Sequence, residues 1–439
     1  MRYLIRSATI IILLVSSGIV YAQEDSGKAA YKQINQQAEA VFDQVVDWRR
    51  HFHENPELSN RETETAAYIA EYLKSLGMEV ETGVAHTGVV GILEGGGKGP
   101  VVGLRADIDA LPVRERTDVP FKSTKTTTYL GNEVGVMHAC GHDTHIAMLM
   151  GAAKILSGMK EDLPGTVKFI FQPAEEGAPP GEEGGAELMV KEGVLKNPDV
   201  DVIFGQHINS KTEVGTIRYR PKGTMAASDR FVIKVKGKQT HGSRPWAGVD
   251  PITTAAKIID GLQTIVSRKT ELTKAAAVIS VGKIKAGVRS NIIPEEAEMI
   301  GTIRTLDTGM QKKIHEEILH VAETIGESMG AEVEVDIQVG YPVTYNDPAL
   351  TEAMLPSLQR VAGSENVVLT DASTGAEDFS FFAKEVPGFY FFTGGMPKGM
   401  NPEEAAPHHT PDFYIEEEGM KLGVKALVAL TYDYMINNR

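Results

Sequence analysis

Arg230-Phe231-Val232-Ile233-Lys234-Val235-Lys236 alternates apolar and polar side chains, so Phe231, Ile233 and Val235 share one face of a strand. Moving outward, the chain reads as a helix over 251–267, strands over 277–284 and 297–305, a helix over 309–329 and a strand over 332–337. The order β-α-β-β-α-β is that of a split-βαβ, ferredoxin-like unit, placed at 227–339. On either side the pattern changes to short continuous apolar runs separated by helical stretches. Val101-Val102-Gly103-Leu104, 166–171 and 200–205 read as buried strands, with helices over 41–53, 62–76 and 142–156. Gly95-Gly96-Gly97-Lys98-Gly99 reads as a tight hairpin. Beyond the central unit come helices over 349–362, 376–384 and 416–436 and strands over 366–369 and 389–393. Buried strands alternating with helices predict an α/β layer around a mostly parallel sheet. The expected architecture is one α/β domain in two segments, 34–226 and 340–439, interrupted by a small α+β domain.

The 439 residues suffice for two or three domains. With 44 basic against 59 acidic residues the net charge is −15, which disfavours nucleic acid or an anionic membrane as the main partner. A single cysteine excludes an intramolecular disulfide. Arg2 and Arg6, the uncharged run from Ala8 to Val20 and the small residues of Val20-Tyr21-Ala22 form the pattern of a secretory signal peptide over 1–22. Cleavage is expected after Ala22. The run is shorter than the ~20 residues that span a bilayer, so the expectation is a periplasmic or secreted protein with no membrane insertion after cleavage.

The candidate chemistry lies in four clusters. His138-Ala139-Cys140-Gly141-His142-Asp143-Thr144-His145 offers thiolate and imidazole, and in an extended segment Cys140 and His142 would face one side. On the residues alone, a buried inert cysteine beside surface histidines is an equal reading. Strand 166–171 runs into Pro173-Ala174-Glu175-Glu176-Gly177, where adjacent glutamates diverge, so that one can bind metal while the other acts as base. A solvated acidic turn is the alternative. Strand 200–205 ends at Gln206-His207, and a lone histidine there is more often a satisfied core residue. Pro407-His408-His409-Thr410-Pro411 forms a loop held between prolines. Each cluster is weak by itself; four at strand ends of one domain are stronger.

These strings, with Arg105-Ala106-Asp107-Ile108-Asp109, Gly375-Ala376-Glu377-Asp378-Phe379 and His409-Thr410-Pro411-Asp412-Phe413, resemble the aminoacylase/carboxypeptidase family of dinuclear metallohydrolases. Within it they are similar to the branch of hippurate hydrolases, N-acyl-amino-acid amidohydrolases and auxin-conjugate hydrolases, over about residues 35 to 435. The resemblance implies two divalent metal ions, zinc or manganese with cobalt also open. Cys140 would bridge them, and His142, Glu176, His207 and His409 would complete their coordination. Glu175 would be the general base. Asp107, Asp109 and Asp143, with His138 and His145, are taken as groups that orient imidazoles, a surface role being nearly equal. In the inserted domain, which the resemblance makes a dimerisation or lid domain, His241 would reach into the partner subunit of a homodimer and stabilise an oxyanion. Asn291 and Arg304 would hold the substrate carboxylate or carbonyl. The implied reaction is hydrolysis of a small N-acyl amino acid, with an aromatic acyl group included. Rival readings are a carboxypeptidase or dipeptidase on the same scaffold, a metal-free amidase with Cys140 as nucleophile, and an inactive binding protein.

Overall fold

The computed structural model describes residues 3–439, with side chains from Lys28 onward. The leader expected over 1–22 lies outside the residues whose side chains are described. Among the described residues no helix is long and apolar enough to cross a membrane.

The chain opens with helices α1 (Tyr3–Glu54) and α2 (Thr63–Ser75), then strands β1 (Glu79–Val84), β2 (Gly88–Glu94) and β3 (Gly97–Asp107). Helix α3 (His142–Gly158), strand β4 (Pro164–Gln172), helix α4 (Gly185–Lys191) and strands β5 (Val202–Glu213) and β6 (Ile217–Tyr219) follow. The central unit holds β7 (Ala227–Lys236), α5 (Pro251–Thr264), β8 (Ala277–Ala286), β9 (Glu296–Thr305), α6 (Thr308–Met329) and β10 (Glu332–Tyr341). The chain then returns through α7 (Pro348–Ala362), β11 (Val367–Leu369), α8 (Phe379–Glu385), β12 (Gly388–Met396) and α9 (Gly419–Asn437).

The main sheet has the order β1-β2-β4-β3-β5-β12-β6-β11. Its central strands β4, β3, β5 and β12 are parallel. β1, β2 and β6 pair antiparallel with neighbours, so the mostly parallel sheet is mixed toward its edges. One face buries Leu104, Phe169 and Phe204 against α1, α3 and α9; the other buries Ile170, Ile203 and Tyr390 against α4 and α8. With both faces covered, the central strands read as continuous apolar runs. Helix ends follow their sequence cues. Asp347 accepts from Leu350 N–H at 2.7 Å ahead of Pro348, and Asp307 caps α6, which Gly330 closes at φ 73°.

Residues 227–341 form a second, antiparallel sheet, β8-β9-β7-β10. Phe231, Ile233 and Val235 are buried against Ile258 and Leu262 of α5 and Ile314 and Ile318 of α6, while Arg230, Lys234 and Lys236 are not.

The glycine run 95–99 is not a hairpin. β2 and β3 lie on opposite sides of β4, so their connection passes over the start of that strand. Gly95 N–H donates to Gly165 O and Gly96 N–H to Lys160 O, each at 2.8 Å. A Cβ on Gly95, Gly96 or Gly99 would fall 2.2–2.4 Å from a backbone oxygen of Leu163, Glu161 or Pro164. The glycines answer that close approach. β5 also continues well past residue 205, so His207 sits within a strand, opposite Phe392 of β12, not in a loop after it.

Candidate metal centre

The carboxyl ends of the central parallel strands bring the four clusters together, as expected for a parallel α/β sheet. Cys140 Sγ lies 3.3 Å from His207 Nε2 and 3.3 Å from His409 Nε2. His409 Nε2 is 3.1 Å from Glu176 Oε1, and His142 Nε2 is 3.8 Å from Glu175 Oε2. Cys140, His142 and Glu176 offer donor atoms within 4.8 Å of one another, and so do Cys140, His207 and His408. The thiol is shared by both groups.

Cys140 and His142 do not converge through an extended backbone, as their spacing suggested. Gly141 adopts φ 95°, which turns the chain so that His142 opens α3. A Cβ at Gly141 would meet Ile208 Cγ2 at 2.4 Å. Glu175 and Glu176 diverge from a turn set by Ala174 at φ 54° and Gly177 at φ 101°. Asp109 fixes that turn by accepting from Glu175 N–H at 3.1 Å and Glu176 N–H at 3.0 Å.

The other ring nitrogen of each histidine separates ligands from supports. His207 Nδ1 donates to Ile208 O at 2.5 Å, which leaves the Nε2 lone pair for Cys140's surroundings. His142 Nδ1 donates to Asp109 O at 2.8 Å, and its buried Nε2 has no hydrogen-bond partner among the described residues. His145 is used at both ends, donating to Asp107 Oδ1 at 2.5 Å and accepting from Ile208 N–H at 2.8 Å. His408 likewise donates to Cys140 O at 3.0 Å and accepts from Ser210 N–H at 3.2 Å. Of the two neighbours only His409 keeps a nitrogen for the cluster, although a His408 nitrogen lies within 4.8 Å of the thiol.

The charges point the same way. Burial, reinforced by Glu176 and Glu175, pushes the Cys140 thiol well above its usual range. Burial holds His207 well below its usual range, hence neutral. Burial alone would lower His142, but the Asp107 and Asp109 carboxylates raise it to about 10. Burial, then Glu377 and Glu176, push Glu175 well above the usual carboxylate range. A buried nest of acids, a thiol and an orphaned imidazole nitrogen is a set of donors that fits cations.

Asp107, Asp109, Asp143, His138 and His145 are all buried, which removes the surface reading. Asp107 and Asp109 support His145 and His142. Asp143 does not touch a cluster histidine; it pairs with Arg49 and with His53 Nδ1, each at 2.8 Å. His138 has no hydrogen-bond partner on either nitrogen among the described residues.

A cavity of about 450 Å³ opens over the cluster, with Glu175, Glu176, His409, Arg218 and Phe392 in its wall. Among the described residues that wall lacks His241, Asn291 and Arg304. His241 is exposed on a short ribbon, Thr240–His241 against Ile292–Ile293, and its Nδ1 accepts from Ser243 N–H at 3.0 Å. Gly242 N–H donates to Asn291 O at 2.8 Å, so His241 and Asn291 are neighbours there. Arg304 donates to Thr302 Oγ1 at 2.6 Å, on β9.

Sequence reading missed the ions beneath the site. Buried Arg105 donates to Asp107 Oδ2 at 2.7 Å and Asp378 Oδ1 at 2.9 Å, and pairs with Glu377 Oε1 at 2.9 Å. An arginine two residues before an aspartate in an apolar strand was the available cue, since a buried guanidinium demands carboxylates on its own face. Tyr341, the last residue of β10, donates to Glu175 O at 2.7 Å, a contact that no local pattern announces.

Comparison with known proteins agrees with this arrangement. The description of Peptidase family M20/M25/M40 matches residues 103–433. Thermostable carboxypeptidase 2 of Saccharolobus solfataricus is 40% identical over 407 residues, covering 92% of this chain and 98% of that protein. N-acetylcysteine deacetylase of Bacillus subtilis is 37% identical over 382 residues, covering 87% and 94%. The crystal structure of the Bacillus subtilis YXEP protein, a dinuclear metal binding peptidase from the M20 family, superposes with a TM-score of 0.76 at 34% identity, covering 91% and 99%. The chain is therefore a member of Peptidase family M20/M25/M40 and a hydrolase acting on amide bonds.

Proposed function

We propose that this protein is a metal-dependent amidohydrolase that splits small N-acyl amino acids into a carboxylic acid and a free amino acid. Two divalent cations, zinc or manganese with cobalt also suited, would be held by Cys140, His142, Glu176, His207 and His409. The observation that carries this reading is one buried thiol shared by two donor groups, with a buried imidazole nitrogen that has no hydrogen-bond partner among the described residues. When bound, such cations polarise an amide carbonyl and lower the pKa of a water.

The chain's own residues supply the rest. Glu175, beside His142 but outside the thiol cluster, takes the proton of the attacking water and returns it to the leaving nitrogen. Its dry, acidic surroundings favour the proton-bearing form, which suits the second transfer. Asp109 holds Glu175 and Glu176 in place through their backbone N–H groups. His241, with Nδ1 accepting from Ser243, carries its proton on Nε2 and serves as a donor to the oxyanion. Because His241, Asn291 and Arg304 lie outside the cavity of their own chain, they would act on a partner's site in a homodimer, Arg304 and Asn291 gripping the substrate carboxylate or carbonyl. The protein would be exported through the leader at 1–22, cleaved after Ala22, to the periplasm or medium.

A carboxypeptidase or dipeptidase is the second reading, supported by the 40% identical carboxypeptidase. Cys140 as a metal-free nucleophile is disfavoured, because burial and the flanking carboxylates hold it as a thiol. The test is release of free amino acid from N-acetyl-methionine, hippurate, an indole-acetyl amino acid and a dipeptide. The expected result is turnover that stops on chelation, returns with Mn²⁺ or Zn²⁺, and falls by at least ~100-fold in kcat in Glu175→Gln. Turnover that survives chelation would overturn the reading. A dipeptide preferred over every acyl substrate would select the peptidase instead.

A further inference from the structure

The turn that carries Glu175 is held from outside itself. Ala174 stands at φ 54°, a left-handed conformation that a non-glycine residue keeps only where its surroundings dictate it. On the α/β-domain side those surroundings are carboxylates. Glu62 accepts from Ala174 N–H at 2.9 Å, and Asp109 accepts from the N–H groups of Glu175 and Glu176. The carbonyl of Glu175 is bound from the central domain, by the Tyr341 hydroxyl at 2.7 Å.

Tyr341 reaches the turn through an irregularity in β10. Val333, Val335 and Ile337 pack on the core of the central domain, yet Val339, next in the alternation, is 67% exposed. The pairing with β7 explains the break. Ser228 lies opposite Tyr341 and Arg230 opposite Gln338, so two residues of β10, Val339 and Gly340, face Asp229 alone. Such a bulge re-aims the side chains beside it. A Cβ at Gly340 would fall 2.1 Å from Ser228 O, so the bulge needs glycine there. Buried Asp229 clamps it, accepting from Gly340 N–H at 3.2 Å and, from α6, from Gln311 at 2.8 Å and His315 at 2.7 Å. A continuous line of contacts runs from α6 through Asp229, Gly340 and Tyr341 to Glu175.

We propose that Tyr341 is a positioning residue through which the central domain sets the place of the Glu175 carboxylate. The base stands in its working geometry only while the bulge in β10 holds the hydroxyl on the Glu175 carbonyl. This inference rests on the amidohydrolase reading above, with Glu175 as the base. Tyr341 also lines the cavity over the metal centre, so direct contact with substrate is the rival role, and it would be read in KM.

The test uses the full chain loaded with Mn²⁺, N-acetyl-methionine as substrate, and the variants Tyr341→Phe, Gln311→Met and the two combined. Gln311 lies outside the cavity wall, so its substitution reaches the base only through Asp229. Each sample is read for kcat and KM, for metal content per chain, and for backbone hydrogen exchange in the peptide spanning 172–178. Tyr341→Phe is expected to lower kcat about tenfold with KM and metal content unchanged, and to speed exchange at 174–177 severalfold. Gln311→Met moves both in the same direction by a smaller factor. The combined variant is no slower than Tyr341→Phe, because the hydroxyl that carries the effect is already gone. Unchanged kcat and exchange in Tyr341→Phe, a rise in KM at constant kcat, or losses that multiply in the combined variant would overturn the inference and leave the amidohydrolase reading intact. Metal lost along with kcat would place the tie on Glu176 and overturn it as well. Faster exchange with kcat intact would overturn Glu175 as the base, and the inference with it. If Tyr341→Phe is not folded, Gln311→Met alone decides, and exchange at 174–177 that it leaves unmoved overturns the inference.

Discussion

Arg105 stands near the end of a strand whose middle is apolar, with its guanidinium shared among Gln172, Asp107, Asp378 and Glu377. Those carboxylates lie under the site and orient it: Asp107 holds His145, and Asp378 accepts from Gln172 and Ala186 N–H. Removing the cation would leave three buried acids without their counter-charge. Arg105→Met is therefore expected to cost about 3–5 kcal/mol in chemical denaturation, with Arg105→Lys recovering only part because it lacks the planar fork. A loss below about 1 kcal/mol would show that the acids are neutral or hydrated instead. At this scale the sequence was informative about residue types and poor about partners. Cys140, His142, Glu176, His207 and His409 come together although they lie far apart in the chain. The reason His409 and not His408 keeps a free nitrogen is a backbone donor, Ser210 N–H, that arrives from a distant strand. Asp143 supports His53 rather than a cluster histidine because α1 packs beside α3, and no local spacing carries that information.

Among the elements, the strands with uniform burial were legible and the connections were not. β3, β4 and β7 follow their apolar patterns closely, since burial on one or both faces dictates which residues tolerate them. The glycine run 95–99 looks like a hairpin by composition, yet its glycines serve a crossing over β4. The same residue type answers a turn or a steric squeeze, and only the neighbouring strand tells which. β5 outran its expected end because pairing with β12 carries it through His207 and beyond, past the point where its apolar run stops. The meeting of Cys140 and His142 depends on Gly141 at φ 95°, a left-handed turn into a helix that the Cys-x-His spacing alone does not specify.

For the whole molecule, the central domain read from Phe231, Ile233 and Val235 has its own sheet and core, and its last strand returns Tyr341 to the Glu175 loop. What no single chain supplies is the location of His241 in a working site. If His241 acts across a two-fold interface, Glu175→Gln and His241→Ala variants are each inactive alone. Mixing them under exchanging conditions then restores about a quarter of wild-type activity, because half the dimers carry one intact site. Absence of recovery, with mixed dimers demonstrated, would place His241 outside the partner's site.

If one buried thiol organises a two-cation centre, metal content per chain, read by mass spectrometry after reconstitution and dialysis, depends on Cys140. The expected result is two divalent ions per wild-type chain and at most one in a folded Cys140→Ala variant, because both donor groups lose their shared atom. A wild-type chain that retains no divalent metal, or a Cys140→Ala chain that still holds two, would contradict it.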